Sequence, residues 1–143
     1  MDRWLHEHAP DAAARRTART FVWHAGDDRV IAYYSIAAHM IVSDRLRRGL
    51  AHGGQEQIPA VLLARLALDS ALQGRGLGGV LLAEALGRIV TATEVIAARF
   101  VVVDAIDDAA AGFYQHHGFR HIPGSLRLVQ KVSDIAAALV ETP

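Results

Sequence analysis

The sequence predicts a single α/β (α+β) domain, spanning residues 1–143, in which helices flank a mixed β-sheet. The length is usual for one domain with its own hydrophobic core. Two features predict the sheet. Gly26-Asp27-Asp28 separates two β-rich runs, Phe21–Trp23 and Val30–Met40, a pattern typical of an antiparallel hairpin. The strand Ile58–Leu68 leads through a Gly-rich loop to a helix and a further strand, which is typical of a parallel βαβ unit.

The other elements follow from apolar periodicity and from start and stop signals. Apolar residues at helical spacing predict an amphipathic helix over residues 2–18, which Pro10 is able to interrupt. The segment Ser43–Gln57 has little periodicity and is predicted as a loop. Asp107 is suited to cap a helix that stops at Gly118. The remaining predicted elements are a helix over Val80–Thr93, a strand over Phe100–Val103, a helix over Asp107–His117, a strand over Arg127–Val132 and a helix over Ser133–Leu139 with Ser133 as its cap.

Composition excludes several classes of protein. Cysteine is absent, which excludes disulfide scaffolds, thiolate metal sites and a cysteine nucleophile. Fifteen Lys and Arg balance 15 Asp and Glu, so net charge does not argue for a generally basic, polyanion-binding surface. The longest stretch without a charged residue is the 14 residues from Val30 to Ser43. That is shorter than the about 20 residues of a membrane-spanning helix. The charged N-terminus does not resemble a signal peptide, so the expected location is cytoplasmic.

The Gly-rich loop, Asp69–Gly79, points most directly to a ligand. A strand that enters such a loop and then a helix presents backbone N–H groups and the positive helix end to an anion. A nucleotide triphosphatase loop is excluded, because no Lys, Ser or Thr follows Gly79 directly. A dinucleotide-binding fingerprint matches Gly74, Gly76 and Gly79, but five residues separate Leu68 from Gly74 and only 64 residues follow Gly79. A tight turn without a ligand is the structural alternative.

Two motifs resemble those of the GCN5-related N-acetyltransferase (GNAT) family. Gln73-x-x-Gly76-x-Gly78 is similar to the family's Q/R-x-x-G-x-G/A loop between a strand and a helix. The run Phe113-Tyr114-Gln115-His116-His117-Gly118-Phe119 is similar to its F-Y-x-x-x-G-F signature, on the helix after the next strand. The resemblance covers roughly Arg19–Val132. It implies the GNAT fold, a mixed central sheet that is splayed at the site of the co-substrate acetyl-CoA.

The resemblance also implies which residues bind acetyl-CoA. The backbone amides of the loop would hold the pyrophosphate, and the Arg75 side chain would be free to add a charge-assisted contact. The end of the central strand would pair through its main chain with the pantetheine arm, and Phe113 would pack against the coenzyme or the sheet. The candidates are Leu66, Ala67, Leu68, Gln73, Gly74, Arg75, Gly76, Leu77, Gly78 and Phe113. No metal is expected, because the eight His residues are not spaced as metal ligands.

Tyr114 matches the position that in many family members donates a proton to the leaving thiolate. A phenol with a pKa of about 10 is protonated at neutral pH, and its O–H stabilises the charge that develops on the sulfur. Packing in the core is the alternative role. Asp107 stands where many relatives have an Asn that touches the pantetheine, so N-capping is the role expected of it here.

Within the family, the sequence most resembles the acetyltransferase toxins of bacterial toxin–antitoxin pairs. This resemblance implies acetylation of the α-amine of aminoacyl-tRNA, a ribbon-helix-helix antitoxin and a homodimer. Compared with those toxins, the sequence begins late, without the usual first strand. The segments that carry the resemblance are Asp2-Arg3-Trp4-Leu5, Arg19-Thr20-Phe21-Val22, Ile58–Asp69 and Ala105-Ile106-Asp107-Asp108, the last directly before the Tyr114 helix.

The residues of the central strand give an independent indication of the acceptor. Many relatives place a Glu base on this strand, whereas Ile58–Leu68 contains no acid. An α-amine with a pKa near 8 needs less help in losing a proton than an alkyl amine with a pKa of about 10. Asp69 and Asp104 are still able to act through water. The sequence therefore favours an α-amine and leaves two other functions open, acetylation of a small amine or a protein N-terminus and a truncated, inactive protein.

Arginine side chains are the candidates for contacts with tRNA phosphates. Arg45, Arg47 and Arg48 lie close together in the predicted loop, and three more precede the first strand. Neutralised phosphates release counterions, so such contacts make binding sensitive to salt. Solvated side chains on exposed faces are the alternative. The three that precede or begin the strand are Arg15, Arg16 and Arg19.

Overall fold

Six strands form one mixed sheet in the computed structural model, which describes residues 3–43 and 56–141. The strands lie in the order β1-β2-β3-β4-β6-β5, and among the described strands only β3 and β4 pair in parallel. The strands are β1 (Arg19–His24), β2 (Val30–Ser43), β3 (Glu56–Leu68), β4 (Phe100–Asp104), β5 (Arg120–His121) and β6 (Arg127–Lys131). The helices are α1 (Arg3–Glu7), α2 (Ala9–Ala14), α3 (Leu77–Thr93), α4 (Asp108–His116) and α5 (Val132–Glu141).

The N-terminal segment forms two short helices, so the prediction of one helix over residues 2–18 is wrong. The helices meet at His8, and Pro10 lies in the first turn of α2. The missing N–H of a proline is tolerated in a first turn, whereas inside a longer helix it removes a hydrogen bond and its ring clashes with the preceding turn. Pro10 therefore accounts for the break.

The predicted hairpin and βαβ unit are confirmed. β1 and β2 pair in antiparallel register, with Phe21 opposite Tyr34. α3 connects β3 to its parallel neighbour β4 and begins at Leu77, three residues before the predicted start at Val80. At α4, the Asp107 carboxylate accepts a hydrogen bond from the Ala110 N–H at 2.8 Å, as expected of an N-cap. The helix then stops at Gly118, whose φ of +97° favours glycine.

One prediction near the C-terminus needs correction, and one short strand there was not predicted. α5 begins at Val132, so Ser133 lies within the helix and is not its cap. The chain passes from β6 into α5 at Lys131–Val132 without a loop, which leaves no position for a separate cap residue. The two-residue strand β5 was not predicted, because two residues are too few for a strand period to be visible.

A bulge interrupts the long β2–β3 ladder. Ser35 pairs with Arg65 and Ile36 pairs with Leu63, so Ala64 is an extra residue on β3. Extra residues of this kind bend a strand and increase its twist. On the other side of β3, pairing with β4 ends at Leu63–Val103, although β3 continues to Leu68. The two parallel strands therefore part just where the bulge begins.

The main core fills the space between one face of the sheet and the helices α3, α4 and α5. We call this side the α3 face. Its buried residues include Leu63 from β3, Val103 from β4 and Leu128 from β6. They pack with one side of α3 and with residues of α4 and α5. The α3 residues are Leu81, Leu82, Ala85, Leu86 and Ile89, and the others include Ala111 and Tyr114 of α4 and Ile135 of α5.

The opposite side of the sheet, the α1 face, carries the alternate residues of the same strands. Trp4 of α1 stacks on Tyr33 of β2, with ring centroids 6.1 Å apart, and the Arg65 guanidinium lies 4.8 Å from the centre of the Trp4 ring. Asp104 and Arg127 also lie on this face, because each is adjacent in its strand to a buried residue of the α3 face.

Polar contacts fix α3 against the hairpin β1–β2. The Arg88 Nε donates a hydrogen bond to the Tyr34 hydroxyl at 2.7 Å, and the Arg88 guanidinium lies 4.0 Å from the centre of the Phe21 ring. The Trp23 Nε1 donates to the Glu84 carboxylate at 3.0 Å. These contacts set the position of α3 and therefore of the Gly-rich loop that precedes it. None of the helices in the described ranges is long and apolar enough to span a bilayer.

Two isoleucines, one with a buried side chain and one with an exposed side chain, test the packing of the core. Ile89 is fully buried and Ile96 is 77% exposed. Ile89→Ala is expected to lower the free energy of unfolding by about 2–5 kcal/mol, because it leaves a cavity. Ile96→Ala is expected to change it by about 0.5 kcal/mol or less. Urea unfolding of both variants measures the difference, and equal losses would contradict the position of α3 against the sheet.

Candidate functional site

The Gly-rich loop folds back on the end of β3. The Asp69 carboxylate accepts a hydrogen bond from the Ala71 N–H at 3.0 Å, within a single 3-10 turn over Ser70–Leu72. The Gln73 side-chain amide then donates to the Leu68 carbonyl at 3.0 Å. The Gln73 backbone N–H donates to the Ser70 carbonyl at 3.3 Å. Gln73 therefore ties the loop to the strand, and its own backbone N–H is already engaged.

The second half of the loop opens α3. Gly74 and Gly76 have φ values of +83° and +75°, which L side chains rarely adopt. Gly76 is the N-cap residue and provides no side-chain acceptor to the helix. The backbone N–H groups of Leu77 and the next two residues have no partner within the helix. Together with the positive end of the helix dipole, these groups form a site suited to a phosphate.

The open edge of β3 is next to this loop. Residues 66–68 pair with β2 on one side, with Leu66 opposite Tyr34 and Leu68 opposite Ala32. On their other side, the ladder to β4 has already ended at Leu63–Val103. The free edge of β3 at residues 66–68 thus faces the space between the parting strands. An extended ligand with amide groups fits such an edge in the way that an added strand does.

Helix α4 brings two aromatic residues to the same place. The Phe113 ring packs against the first turn of α3, where a Cβ built on Gly78 would lie 3.5 Å from it. Phe113 also contacts the Tyr114 ring edge to face, with centroids 5.2 Å apart. Tyr114 packs against Phe119 in turn, with centroids 5.6 Å apart. The structure therefore places the loop, the open edge of β3 and these two residues of α4 around one end of the core.

Tyr114 is the titratable group that burial affects most clearly in this region. Its side chain belongs to the core of the α3 face and is 9% exposed. Burial raises the pKa of the Tyr114 phenol to about 12, because the apolar surroundings disfavour the phenolate. The hydroxyl is consequently a hydrogen-bond donor throughout the neutral range.

A second group of polar side chains lies on the α1 face, and we call it the Arg127 array. Arg127 of β6 donates to both carboxylate oxygens of Asp104, from Nε at 2.8 Å and from Nη2 at 2.9 Å. Its Nη1 lies 3.1 Å from Nε2 of His39 in β2. The hydrogen bond from Arg127 lowers the pKa of Asp104, so the carboxylate stays ionised. The array gives no signal in the sequence, because 88 positions separate His39 from Arg127.

The other predicted residues are dispersed. Arg45, Arg47, Arg48 and His52 lie outside the described residues. Arg75 is exposed in the loop, and Arg15, Arg16 and Arg19 are exposed near the start of β1. Arg15 forms an ion pair with Asp11 at 3.3 Å. No group of three or more His, Asp or Glu side chains in residues 3–43 and 56–141 is arranged to hold a metal ion.

Comparisons with known proteins identify this combination of elements. A family model described as an acetyltransferase (GNAT) domain matches residues 16–121. A tRNA-acetylating toxin of Mycobacterium tuberculosis is 35% identical over 97% of the chain and 84% of its own length. Solved structures of similar fold include AtaTR bound with AcCoA (TM-score 0.84, 23% identity, 95% of this chain and 83% of that one). Another is the KacTA–DNA complex (TM-score 0.80, 24% identity, 96% and 82%).

A third solved structure is AtaT complexed with acetyl-methionyl-tRNAfMet. It has a TM-score of 0.79 and 22% identity over 95% of this chain and 84% of that one. At these identities the solved structures show the fold, and they confirm the mixed sheet with flanking helices that the sequence predicts.

The buried phenol leads to a titration prediction. At about pH 11, most of an exposed tyrosine with a pKa of about 10 is ionised, whereas Tyr114, with a pKa of about 12, stays protonated. Tyr114→Phe is therefore expected to leave the tyrosinate absorbance at that pH unchanged. At higher pH the wild type is expected to gain one tyrosinate more than the variant. A deficit of nearly one tyrosinate in the variant already at about pH 11 would contradict the burial of this side chain.

Proposed function

We propose that this chain, which belongs to the GNAT family of N-acetyltransferases, transfers an acetyl group from acetyl-CoA to the α-amine of aminoacyl-tRNA and thereby acts as a toxin that blocks translation. The observation that carries the proposal is the 35% identity to a tRNA-acetylating toxin over nearly the whole chain. The structure of AtaT with acetyl-methionyl-tRNAfMet shows that this fold accepts such a product in a protein of similar architecture.

The loop and the open edge of β3 account for binding of acetyl-CoA. The N–H groups of Gly74, Arg75, Gly76, Leu77 and Gly78 would receive the pyrophosphate oxygens, while Gln73 holds the loop in place through the Leu68 carbonyl. The main chain of Leu66, Ala67 and Leu68 would pair with the pantetheine amides. Phe113 would cover the coenzyme at the first turn of α3.

Tyr114 is the proposed catalytic residue. When the thioester breaks, negative charge develops on sulfur, and a nearby phenol O–H stabilises it. A pKa of about 12 lies above that of a thiol at about 8.5. Complete transfer of the proton to sulfur is therefore uphill at the unliganded site. The phenol acts as a hydrogen-bond donor that stabilises the leaving thiolate, and the proton that the acceptor amine releases balances the one that the thiol takes up.

The acceptor must arrive as a free amine, because an ammonium group has no electron pair for attack on the thioester. β3 carries no acid between Ile58 and Leu68. Asp104 is a weak base, since its ion pair with Arg127 lowers its pKa. An α-amine with a pKa near 8 is substantially neutral at physiological pH without a strong base. This chemistry supports an aminoacyl acceptor over an alkyl amine.

The toxin assignment brings further proposals about partners. A ribbon-helix-helix antitoxin would hold the protein inactive. The active form would be a homodimer in the cytoplasm. The structure of AtaT with the C-terminus of the antitoxin AtaR and acetyl-CoA supports an antitoxin as a partner. Arg45, Arg47 and Arg48 stay candidates for contacts with tRNA phosphates.

Binding of acetyl-CoA is expected to depend on Gly78. Gly78→Glu places a carboxylate and added bulk at the first turn of α3, where it opposes both the anion and the close approach of the backbone. The matched control is Gly87→Glu, on the same helix, where a Cβ meets nothing within 4 Å. Calorimetry should show at least about tenfold weaker binding for the first variant and unchanged binding for the second. Equal affinities of both variants would contradict the location of the pyrophosphate site.

Transfer to aminoacyl-tRNA is tested with labelled acetyl-CoA and charged total tRNA. Wild type is expected to place label on the aminoacyl group, and the label should be lost on deacylation. Tyr114→Phe removes the donor and almost no volume, so it should retain acetyl-CoA binding and lose about 10²-fold or more in turnover.

Other outcomes of the same assay separate the alternatives. Label only on small amines or on protein N-termini would overturn the aminoacyl-tRNA acceptor. Binding of acetyl-CoA without transfer to any acceptor would indicate an inactive protein. A Tyr114→Phe variant with wild-type turnover would return Tyr114 to a packing role.

A further inference from the structure

The Arg127 array lies at the opening between β3 and β4. In the sheet, β3 and β4 separate β6, which carries Arg127, from β2, which carries His39. The contact between these two side chains therefore crosses the α1 face over β3 and β4, and it starts from His39, which is in register with Ala60, where the two strands are still paired. Asp104, the third member, is the last residue of β4 and directly follows Val103, where pairing with β3 ends. The array thus lies beside the opening in the sheet.

The two substrates must reach this opening from opposite sides. The loop, the first turn of α3 and Tyr114 are on the α3 face, and the helices α3, α4 and α5 cover that face. The acceptor amine must therefore approach the thioester from the α1 face. The strand residues that alternate with the core residues point to this face. Asp104 and Arg127 are the charged residues of β4 and β6 next to the opening on that face.

The guanidinium of Arg127 is fixed and has donors to spare. An arginine side chain has five N–H donors. Three of them have acceptors in the array, two on Asp104 and one on His39. The described part of the chain provides no acceptor for the other two. One third of the Arg127 side chain is exposed, so a ligand is able to reach those two donors.

The charge of the array favours a neutral ligand group. The bidentate ion pair cancels the charge of Arg127 with that of Asp104. Nε2 of His39 lies 3.1 Å from Nη1 of Arg127 and steadies the guanidinium from its other side. The Arg127–Asp104 ion pair, which has no net charge, gives little attraction to a phosphate, whereas the directed N–H groups of Arg127 suit a carbonyl oxygen.

We propose that Arg127 binds the acceptor through the carbonyl oxygen next to the reacting amine, so that the enzyme selects α-amino esters over amines that lack this carbonyl. Asp104 and His39 are positioning residues that fix the orientation of the guanidinium. The inference rests on the proposed function and adds to it a determinant of acceptor specificity. It also accounts for an Asp at the end of β4 that is ion-paired and too acidic to serve as a base.

The test measures transfer to aminoacyl-tRNA by Arg127→Gln and Arg127→Lys, with Arg120→Gln as the matched control. Arg120 pairs with Val129 of β6 at the edge of the same face and is exposed. Loss of the charge-assisted hydrogen bond is expected to lower kcat/KM for aminoacyl-tRNA by about 10- to 100-fold, mainly through KM. The affinity for acetyl-CoA should stay unchanged in all three variants, which also verifies that they fold.

A second measurement tests the carbonyl directly. An amino acid methyl ester and the matching amino alcohol share the amine and the side chain, and only the ester has the carbonyl. Both are compared as competitive inhibitors of transfer to aminoacyl-tRNA. The ester is expected to inhibit wild type more strongly, and Arg127→Gln should abolish that difference. Asp104→Asn should reduce it, and adding Asp104→Asn to Arg127→Gln should cause no further loss if the two residues act together.

The outcomes separate this inference from the proposed function. Wild type that binds acetyl-CoA but acetylates no aminoacyl-tRNA would overturn both. Normal transfer with equal inhibition by ester and alcohol would overturn the role of Arg127 alone. Variants of Arg127 that unfold at lower temperature but keep the wild-type KM for aminoacyl-tRNA would show a purely structural link between β4 and β6.

Discussion

The parting of β3 and β4 is the constraint on which the rest of the site depends. Neighbouring strands normally pair their backbone N–H and C=O groups in hydrogen bonds. A backbone N–H or C=O that is shielded from water and has no partner costs about 1–3 kcal/mol of stability. Here the ladder stops at Leu63–Val103 because Ala64, the extra residue of the bulge, turns β3 away from its neighbour. The antiparallel ladder to β2 continues past the bulge and keeps the free end of β3 rigid. The fold thus keeps the end of β3 free of a neighbouring strand on the β4 side.

Everything around this opening is positioned by contacts with the same few elements. Gln73 attaches the loop to the Leu68 carbonyl, and Arg88 attaches α3 to Tyr34 of β2. Phe113 rests on the first turn of α3 and carries Tyr114 with it. A shift of α3 would therefore displace the anion site and the phenol together, so their relative positions do not depend on a flexible segment.

The parts of the molecule that sequence predicts best are those whose cause is local. Asp107 and Gly118 act on the helix between them, so the ends of α4 were predicted to within a residue. Gly76 needs a left-handed φ at the start of α3, and that requirement is visible in the motif itself. Pro10 is visible in the sequence as a break in the N-terminal helix, and α2 indeed begins next to it. The bulge at Ala64 has no signal in sequence, because alanine fits a bulged position as well as a regular one. The Arg127 array is the feature that is hardest to predict from sequence. Its side chains meet only because the strand order of the sheet brings together residues that are far apart in the chain.

The alternation of side chains along β4 and β6 has a consequence for how such a protein changes over evolutionary time. Val103 and Leu128 point into the core that supports the donor half of the site, while their neighbours Asp104 and Arg127 point to the other face. Substitutions at one set of positions leave the packing of the other set almost untouched. Under the proposed role of Arg127, changes at every second residue of two short strands would alter acceptor preference while the residues that face the core stay as they are.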